Sequence, residues 1–291
     1  MKLFYLGPKG SFSHQAARLR MYNLNDTIEY IPKAPLEHVV KSLCAEGADA
    51  VAIIPYYNYL EGLVQESLDL IYENQVYIVG SQRVPIIFCL GGYDRNLDQA
   101  GISSHPKALA QCSQYLNQHY PNIPHVAVSS TTEGAKIVGE RRSGFAVVSK
   151  EGLLTYELPL IKEDIGNIKH GKPNFTDFFL LARQDISEYH EKTDYFTMIA
   201  VTPYVDRVGL LQEILAQISF YDLNLAKIHS RPAIDEVGDL GVEPQMFYLE
   251  IVCHKDNTDF KHCVNALEYK FTPKNSNLSA VRILGTYPVC L

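Results

Sequence analysis

Ala50-Val-Ala-Ile-Ile54 runs without a single polar residue. A strand with one wet face would alternate, so an unbroken apolar run of this length marks a strand buried on both faces, as in a parallel sheet covered by helices. Phe145-Ala-Val-Val148 repeats the pattern. The covering helices are legible beside these runs. Leu36 to Glu46 fits a helix closed by Gly47, and Ser130-Thr-Thr-Glu133 is a capping box that opens a helix through Glu140. Such alternation predicts an α/β architecture.

The length of 291 residues suggests two domains with ample chain for a core. A formal charge of −7 argues against nucleic acid and anionic membranes as partners, and it gives an anionic substrate no global steering. Any anion site must therefore be local. No apolar run reaches the length of a membrane span, and the N-terminus lacks a basic-then-apolar signal segment. The cysteines (Cys44, Cys89, Cys112, Cys253, Cys263 and Cys290) form no close pairs, which suits reduced thiols in a cytoplasmic protein. No histidine shows metal-ligand spacing, and no nucleotide-binding glycine fingerprint is complete. Nothing in the spacing points to a metal or an organic cofactor.

Local anion sites have three candidates. Lys2 to Leu6 reads as a strand, Gly7-Pro-Lys-Gly10 as a turn, and Ser11 or Ser13 as the cap of a helix through Arg20. Gly101-Ile-Ser-Ser-His-Pro106 enters a helix through Tyr115 with Ser104 as its cap, and the third helix begins near Thr131. Helix N-termini aimed from sheet ends offer free N–H groups and a positive dipole, a way to hold a dianion without many arginines. Taken singly, each such turn is more often structural. His105 reads equally well as a substrate contact and as a loop histidine held by backbone groups. Pro55-Tyr-Tyr-Asn-Tyr-Leu-Glu-Gly62 follows the first buried strand, where open α/β sheets bind ligands. Its tyrosines either pack over the sheet end or wall a pocket. Leu63 to Tyr72 is expected to be helical, with strands at Val76 to Val84 and Ile86 to Leu90.

Lys172 to Arg183 opens with turn residues and becomes a β-branched and aromatic strand. Period-two alternation puts Thr176 and Phe178 on one face and Asp177 on the other. A hydroxyl beside an aromatic ring reads either as a proton donor above a bound ring or as a β-former filling a strand. The polar stretch 184–194 reads as a linker. Beyond it the pattern is strand (Tyr195 to Val201), helix (Val208 to Phe220), strand (Asn224 to His229), strand (Met246 to Cys253), helix (Thr258 to Lys270) and strand (Ala280 to Leu284). This βαββαβ order predicts an α+β module, with Leu210, Leu211, Ile214, Leu215 and Ile218 as one apolar helix face.

Asn174-Phe-Thr-Asp-Phe178 resembles the Asn-x-Thr-Arg-Phe signature of the prephenate dehydratases, with Asp177 in place of arginine. Gly7-Pro-Lys-Gly-Ser-Phe-Ser-His14 and Ser104-His-Pro106 agree in order. Gly209-Leu-Leu211 and Ser230-Arg-Pro232 are similar to the two signatures of the family's amino-acid-binding ACT domain. The resemblance covers nearly all of the chain. It implies a two-lobed, periplasmic-binding-protein-like catalytic domain over residues 1–183, a linker, and an ACT domain over 195–291. The implied reaction converts prephenate to phenylpyruvate with loss of carbon dioxide and water. Thr176 takes the essential hydroxyl role. Ser11, Tyr57, Asn58, Ser104, His105, Thr131, Asn174, Asp177 and Phe178 are the implied substrate contacts. Gly209, Leu210, Leu211, Asn224, His229, Ser230 and Arg231 are the implied amino-acid site, with phenylalanine as feedback ligand and a homodimer or homotetramer as the assembly.

The departures define the alternatives. After Pro55 the family usually has Ile-Glu-Asn-Ser, so Tyr57 replaces a glutamate and Tyr59 a small hydroxyl residue. His229 stands for the glutamate of Glu-Ser-Arg-Pro, and Leu210 for a common alanine. Two unit charges at about 4 Å interact by about 4 kcal/mol at an effective dielectric of about 20, so Asp177 cannot take the arginine's place against a carboxylate. It must turn away, be protonated or face another pose. Lys169, His170 and Lys172 are candidates to replace the lost charge, and Asp177→Arg is expected to improve prephenate binding. The expected order of activities is dehydratase, then non-aromatising prephenate decarboxylase, then a non-catalytic amino-acid sensor.

Overall fold

The computed structural model describes residues 1–21, 27–167, 173–186, 190, 193–205, 207–233, 245–274 and 278–288. Lys169, His170, Lys172, Cys290 and linker residues 187–189, 191 and 192 lie outside them. The first elements are β1 (Lys2–Leu6), α1 (Phe12–Arg20), β2 (Glu29–Lys33), α2 (Leu36–Glu46), β3 (Ala50–Asn58), β4 (Gly62–Leu63), α3 (Gln65–Glu73) and β5 (Tyr77–Pro85). Next come β6 (Cys89–Tyr93), α4 (Leu97–Ala100), β7 (Ile102–Ser104), α5 (Pro106–Gln111), α6 (Ser113–His119), β8 (His125–Ala127), α7 (Thr131–Arg141) and β9 (Gly144–Val148). The rest are α8 (Lys150–Thr155), β10 (Leu160–Lys162), β11 (Phe175–Ala182), β12 (Tyr195–Val201), α9 (Leu210–Phe220), β13 (Leu225–Pro232), β14 (Gln245–Val252), α10 (Thr258–Phe271) and β15 (Val281–Pro288).

The chain forms two units that are discontinuous in sequence. The first contains Met1–Ser42, Ala52–Val64 and Gln82–Phe178, and the second Leu43–Val51, Gln65–Ser81 and Phe179–Leu291. The first unit is a two-lobed α/β structure. In one lobe the strand order is β5-β11-β3-β1-β2, with β1 and β2 parallel. The run Ala50–Ile54 is buried throughout, as an unbroken apolar strand requires. The other lobe is a five-stranded sheet ordered β10-β6-β9-β7-β8, in which β9 is parallel to β7 and antiparallel to β6.

Two local details of this second lobe position the site. The helix expected through Tyr115 breaks at Cys112, whose backbone leaves the helical range, giving the short α5 and α6. Gly134 lets α7 lie close on β7, since a Cβ there would sit 2.8 Å from the Ser103 carbonyl oxygen. Close approach is what glycine permits and any other residue prevents.

In the second unit, β13-β14-β12-β15 is an antiparallel sheet, and the element order over residues 195–288 is the expected βαββαβ. Helices α9 and α10 share its core with Ile199, Leu249 and Ile251. The expected apolar face of α9 is corrected at one position. Leu210, Ile214 and Ile218 are buried, whereas Leu211, one residue and about 100° further round, is 38% exposed. Among the described residues no helix is long and apolar enough to cross a membrane.

Three histidines couple this packing to pH. His14 is buried, stacks on Tyr5 at 5.0 Å and accepts the Gly10 N–H at Nδ1 (3.2 Å). Burial lowers its pKa, against the opposing pull of Glu151. Burial likewise lowers His229, helped by Lys227, and His254, opposed by Asp256. A neutral histidine in the fold means that the unfolded chain binds more protons below its ordinary pKa of about 6.5. Stability should therefore be fullest above that value and fall as pH drops through it. Urea unfolding followed at about pH 7.5 and about pH 5.5 should show a lower midpoint at the acid value with an unchanged slope.

Candidate active site

A cavity of about 350 Å³ opens within the first unit. Volumes of this order suit a small-molecule ligand. One lobe contributes Asn58 and Glu61 from the β3–β4 hairpin, and Asn174, Thr176 and Phe178 from β11 and its entry. The other contributes His105, Lys107 and Gln111 from α5 and its cap, and Ser129, Ser130 and Thr131 from the start of α7. Phe12 and Ser13 enter from α1, and Phe12, Ile86, Phe88 and Phe178 give the cavity an apolar wall.

Thr176 is 7% exposed and Phe178 is 2% exposed, so both belong to the packed base of the cavity. The Thr176 hydroxyl oxygen meets an Asn58 side chain that is itself fixed from both sides. The Asn58 Oδ1 accepts the N–H groups of Leu60 (2.9 Å) and Glu61 (3.0 Å), an Asx turn closing the hairpin. Its Nδ2 must then donate, and it does so to Thr176 Oγ1 at 2.8 Å and to the Phe175 carbonyl at 3.3 Å. A hydroxyl that accepts a hydrogen bond is polarised into a better donor. The Thr176 hydroxyl can then donate its own proton to a group in the cavity.

The remaining walls are rich in polar groups and short of charge. Ser130 caps α7 by accepting the Glu133 N–H (3.0 Å), and the Glu133 carboxylate turns back to the Ser129 N–H (2.8 Å), one residue earlier than a capping box would place it. The Ser129 hydroxyl donates to the same carboxylate, and that bond together with the N–H holds the Glu133 carboxyl below its usual range. His105, and not Ser104, caps α5, its Nδ1 accepting the Lys107 N–H at 3.2 Å. A neutral ring bonded this way carries its proton on Nε2. The buried Oδ1 of Asn174 has no hydrogen-bond partner among the described residues, leaving an acceptor for a ligand hydroxyl or water.

The structure brings together Asn58, His105, Thr131, Asn174, Thr176 and Phe178 of the expected contacts. Ser11, Ser104, Tyr57 and Asp177 do not line this cavity. Ser11 Oγ accepts the His14 N–H and donates to the Leu6 carbonyl as the cap of α1. Ser104 is fully buried, its hydroxyl donating to the Val147 carbonyl at 2.6 Å. Sequence reading missed Glu61, Lys107 and Gln111. The four-residue spacing of Lys107 and Gln111 on one helix face was the available signal.

Tyr57 and Asp177 lie outside the cavity for one reason, strand alternation. On β11, Thr176 and Phe178 face inward, so Asp177 faces the other way, where Arg83 of β5 meets it with Nε–Oδ1 at 2.8 Å and Nη2–Oδ2 at 3.1 Å. The same guanidinium donates to the Tyr59 hydroxyl and lies 4.8 Å over the Tyr59 ring. Tyr59 in turn packs edge-on against Tyr57 at 5.6 Å and Phe175 at 6.2 Å. Three of the residues that depart from the family pattern, Tyr57, Tyr59 and Asp177, thus share one ionic and aromatic cluster on the far side of the strands.

The C-terminal motifs fall on two elements of the second unit. Gly209, at φ +85°, is the N-cap of α9, followed by buried Leu210 and exposed Leu211. Asn224 precedes β13, and His229, Ser230 and Arg231 lie on it. Arg231 already has partners: it donates to Gln65 Oε1 (2.9 Å) and to the Asp69 carboxylate of α3.

A threonine hydroxyl and an asparagine are thus set in a cavity between the two lobes of the first unit. The family model described as prephenate dehydratase matches residues 3–186. The chain belongs to the prephenate dehydratase family. The prephenate dehydratase of Methanocaldococcus jannaschii is 29% identical over 290 residues, covering 99% of this chain and 98% of that protein. The bifunctional chorismate mutase/prephenate dehydratase of Aquifex aeolicus is 29% identical over 293 residues, covering 100% of this chain and 74% of its own. Among solved structures, the prephenate dehydratase from Arthrobacter aurescens in complex with L-Phe superposes with a TM-score of 0.81 at 27% identity, covering 99% of this chain and 89% of that one.

The position of Asp177 reverses the expected effect of its substitution. Asp177→Arg would set a second guanidinium against Arg83 on the outer face, not add a cation to the cavity. The expected cost is about 2 kcal/mol, tempered because Arg83 is 39% exposed. Adding Arg83→Asp should restore most of it. Urea midpoints of the two single variants and the double variant check this, with no gain in substrate affinity from Asp177→Arg alone.

Proposed function

We propose that this protein is a prephenate dehydratase, and the observation that carries the reading is the Thr176 hydroxyl, held by Asn58 at 2.8 Å in the base of the cavity. The substrate ring would lie against Phe178 and the apolar wall, with its carboxylates toward the polar ends of the cleft. Scission of the ring-to-carboxylate C–C bond releases carbon dioxide, and its electron pair moves into the ring. The ring C–O bond breaks in concert, and hydroxide leaves with a proton donated at Thr176 Oγ1. Aromatisation supplies the driving force. Asn58 Nδ2 stabilises the oxygen of Thr176 as its proton moves, and solvent returns a proton to it. The residues that suggested a non-aromatising decarboxylase, Tyr57, Tyr59 and Asp177, cluster on the outer face, which removes the specific argument for that alternative.

We assign residues 1–183 as the catalytic domain and 195–291 as an ACT-type regulatory domain that takes an amino acid near Gly209 and β13. The L-Phe complex of the Arthrobacter aurescens protein supports phenylalanine as that ligand. An ACT-type module also supports a homo-oligomeric assembly.

Proton NMR of the protein incubated with prephenate tests the reading. Aromatic phenylpyruvate signals above the spontaneous rate are expected, and non-aromatic ring products would overturn it. Thr176→Val preserves shape while removing the proton donor. It should cut kcat by roughly 10²-fold or more while leaving the thermal midpoint near that of the parent, and Thr176→Ser should retain most of the rate. A Thr176→Val enzyme with parental kcat would remove this hydroxyl from the mechanism.

A further inference from the structure

Prephenate is a dianion, yet the described lining of the cavity has only one side chain that is positively charged at neutral pH, Lys107, and only one carboxylate, Glu61. They sit on opposite lobes and are paired, Lys107 Nζ to Glu61 Oε2 at 2.9 Å. Gln111 Nε2 donates to the other oxygen, Oε1, at 3.1 Å. The walls therefore carry no net charge while this bridge is closed. Arg83 cannot supply the missing cation, because it is committed to Asp177 on the outer face.

We propose, on the basis of the dehydratase reading, that Lys107 receives one carboxylate of the substrate, and that Glu61 is the internal carboxylate it releases in exchange. The side chains of Lys107 and Glu61 are 69% and 42% exposed, so the bridge is held by little more than geometry and is easily exchanged. A substrate carboxylate offers Nζ the same chemistry as Glu61 Oε2 does, and Glu61 can turn to solvent without stranding a buried charge. Lys107 also follows His105 by two residues, so the cation lies on the segment that already faces the ligand. In this arrangement Thr176 acts on the leaving hydroxyl, while Lys107 fixes affinity and selects a dianion over a monoanion.

Calorimetric titration with prephenate, alongside steady-state turnover, tests this with Lys107→Ala, Lys107→Arg, Glu61→Gln and the Glu61→Gln/Lys107→Ala double variant. Loss of one charge-assisted contact predicts that Lys107→Ala raises Kd and KM roughly tenfold or more, with the main effect on KM and not on kcat. Lys107→Arg should recover most of the affinity. Glu61→Gln should tighten binding several-fold, and the double variant should bind more weakly than Glu61→Gln alone. The double variant separates lost attraction from the repulsion of an unpaired Glu61. If Lys107→Ala changes Kd less than about twofold in both Glu61 backgrounds, the assignment is overturned. A parent enzyme that binds prephenate without turning it over ends the dehydratase reading, while the Kd ratios still judge Lys107. A parent that binds no prephenate overturns both.

Discussion

The two hydrogen bonds that the Asn58 side-chain carbonyl accepts from Leu60 and Glu61 orient the amide that meets Thr176. They close the β3–β4 turn and force the amide nitrogen toward β11, where it meets Thr176. One side chain thereby joins a loop to a strand and supplies the Thr176 hydroxyl oxygen with a donor. The same turn carries Glu61, which lines the cavity and pairs with Lys107 of the other lobe.

The second constraint is the two-residue period of β11. It separates a chemical face, Thr176 and Phe178, from a structural face, Phe175 and Asp177. Changes on the structural face can be extensive without touching the cavity, provided that they compensate one another. Asp177 is compensated by Arg83, and Tyr57 and Tyr59 supply ring surface around that pair. A negative charge next in sequence to Thr176 therefore leaves the cavity unaltered, because the two side chains leave opposite faces of the same strand.

The C-terminal unit illustrates a different limit. Its βαββαβ order follows from alternating and helical periodicities that are strong over each segment, and the structure has that order. The fate of individual motif residues does not follow from periodicity. Arg231 is engaged by Gln65 and Asp69, more than 160 positions away, and Leu211 lies outside the apolar face although its residue type suits a core.

The sequence by itself determined what depends on near neighbours. The buried strand at Ala50–Ile54, the caps of α1 and α7, and the opposite facing of Thr176 and Asp177 all follow from local sterics and short-range hydrogen bonding. Tertiary structure alone decided which partner each side chain meets. It paired Asp177 with Arg83, 94 residues away, Asn58 with Thr176, 118 away, and Lys107 with Glu61, 46 away. It also withdrew Ser104 into a buried bond with Val147 and gave its capping role to His105. Period and propensity act over a few residues, whereas pairing across a cavity depends on how sheets stack and strands order. A side chain's face can thus be read from its own strand, but its partner can be read only from the fold.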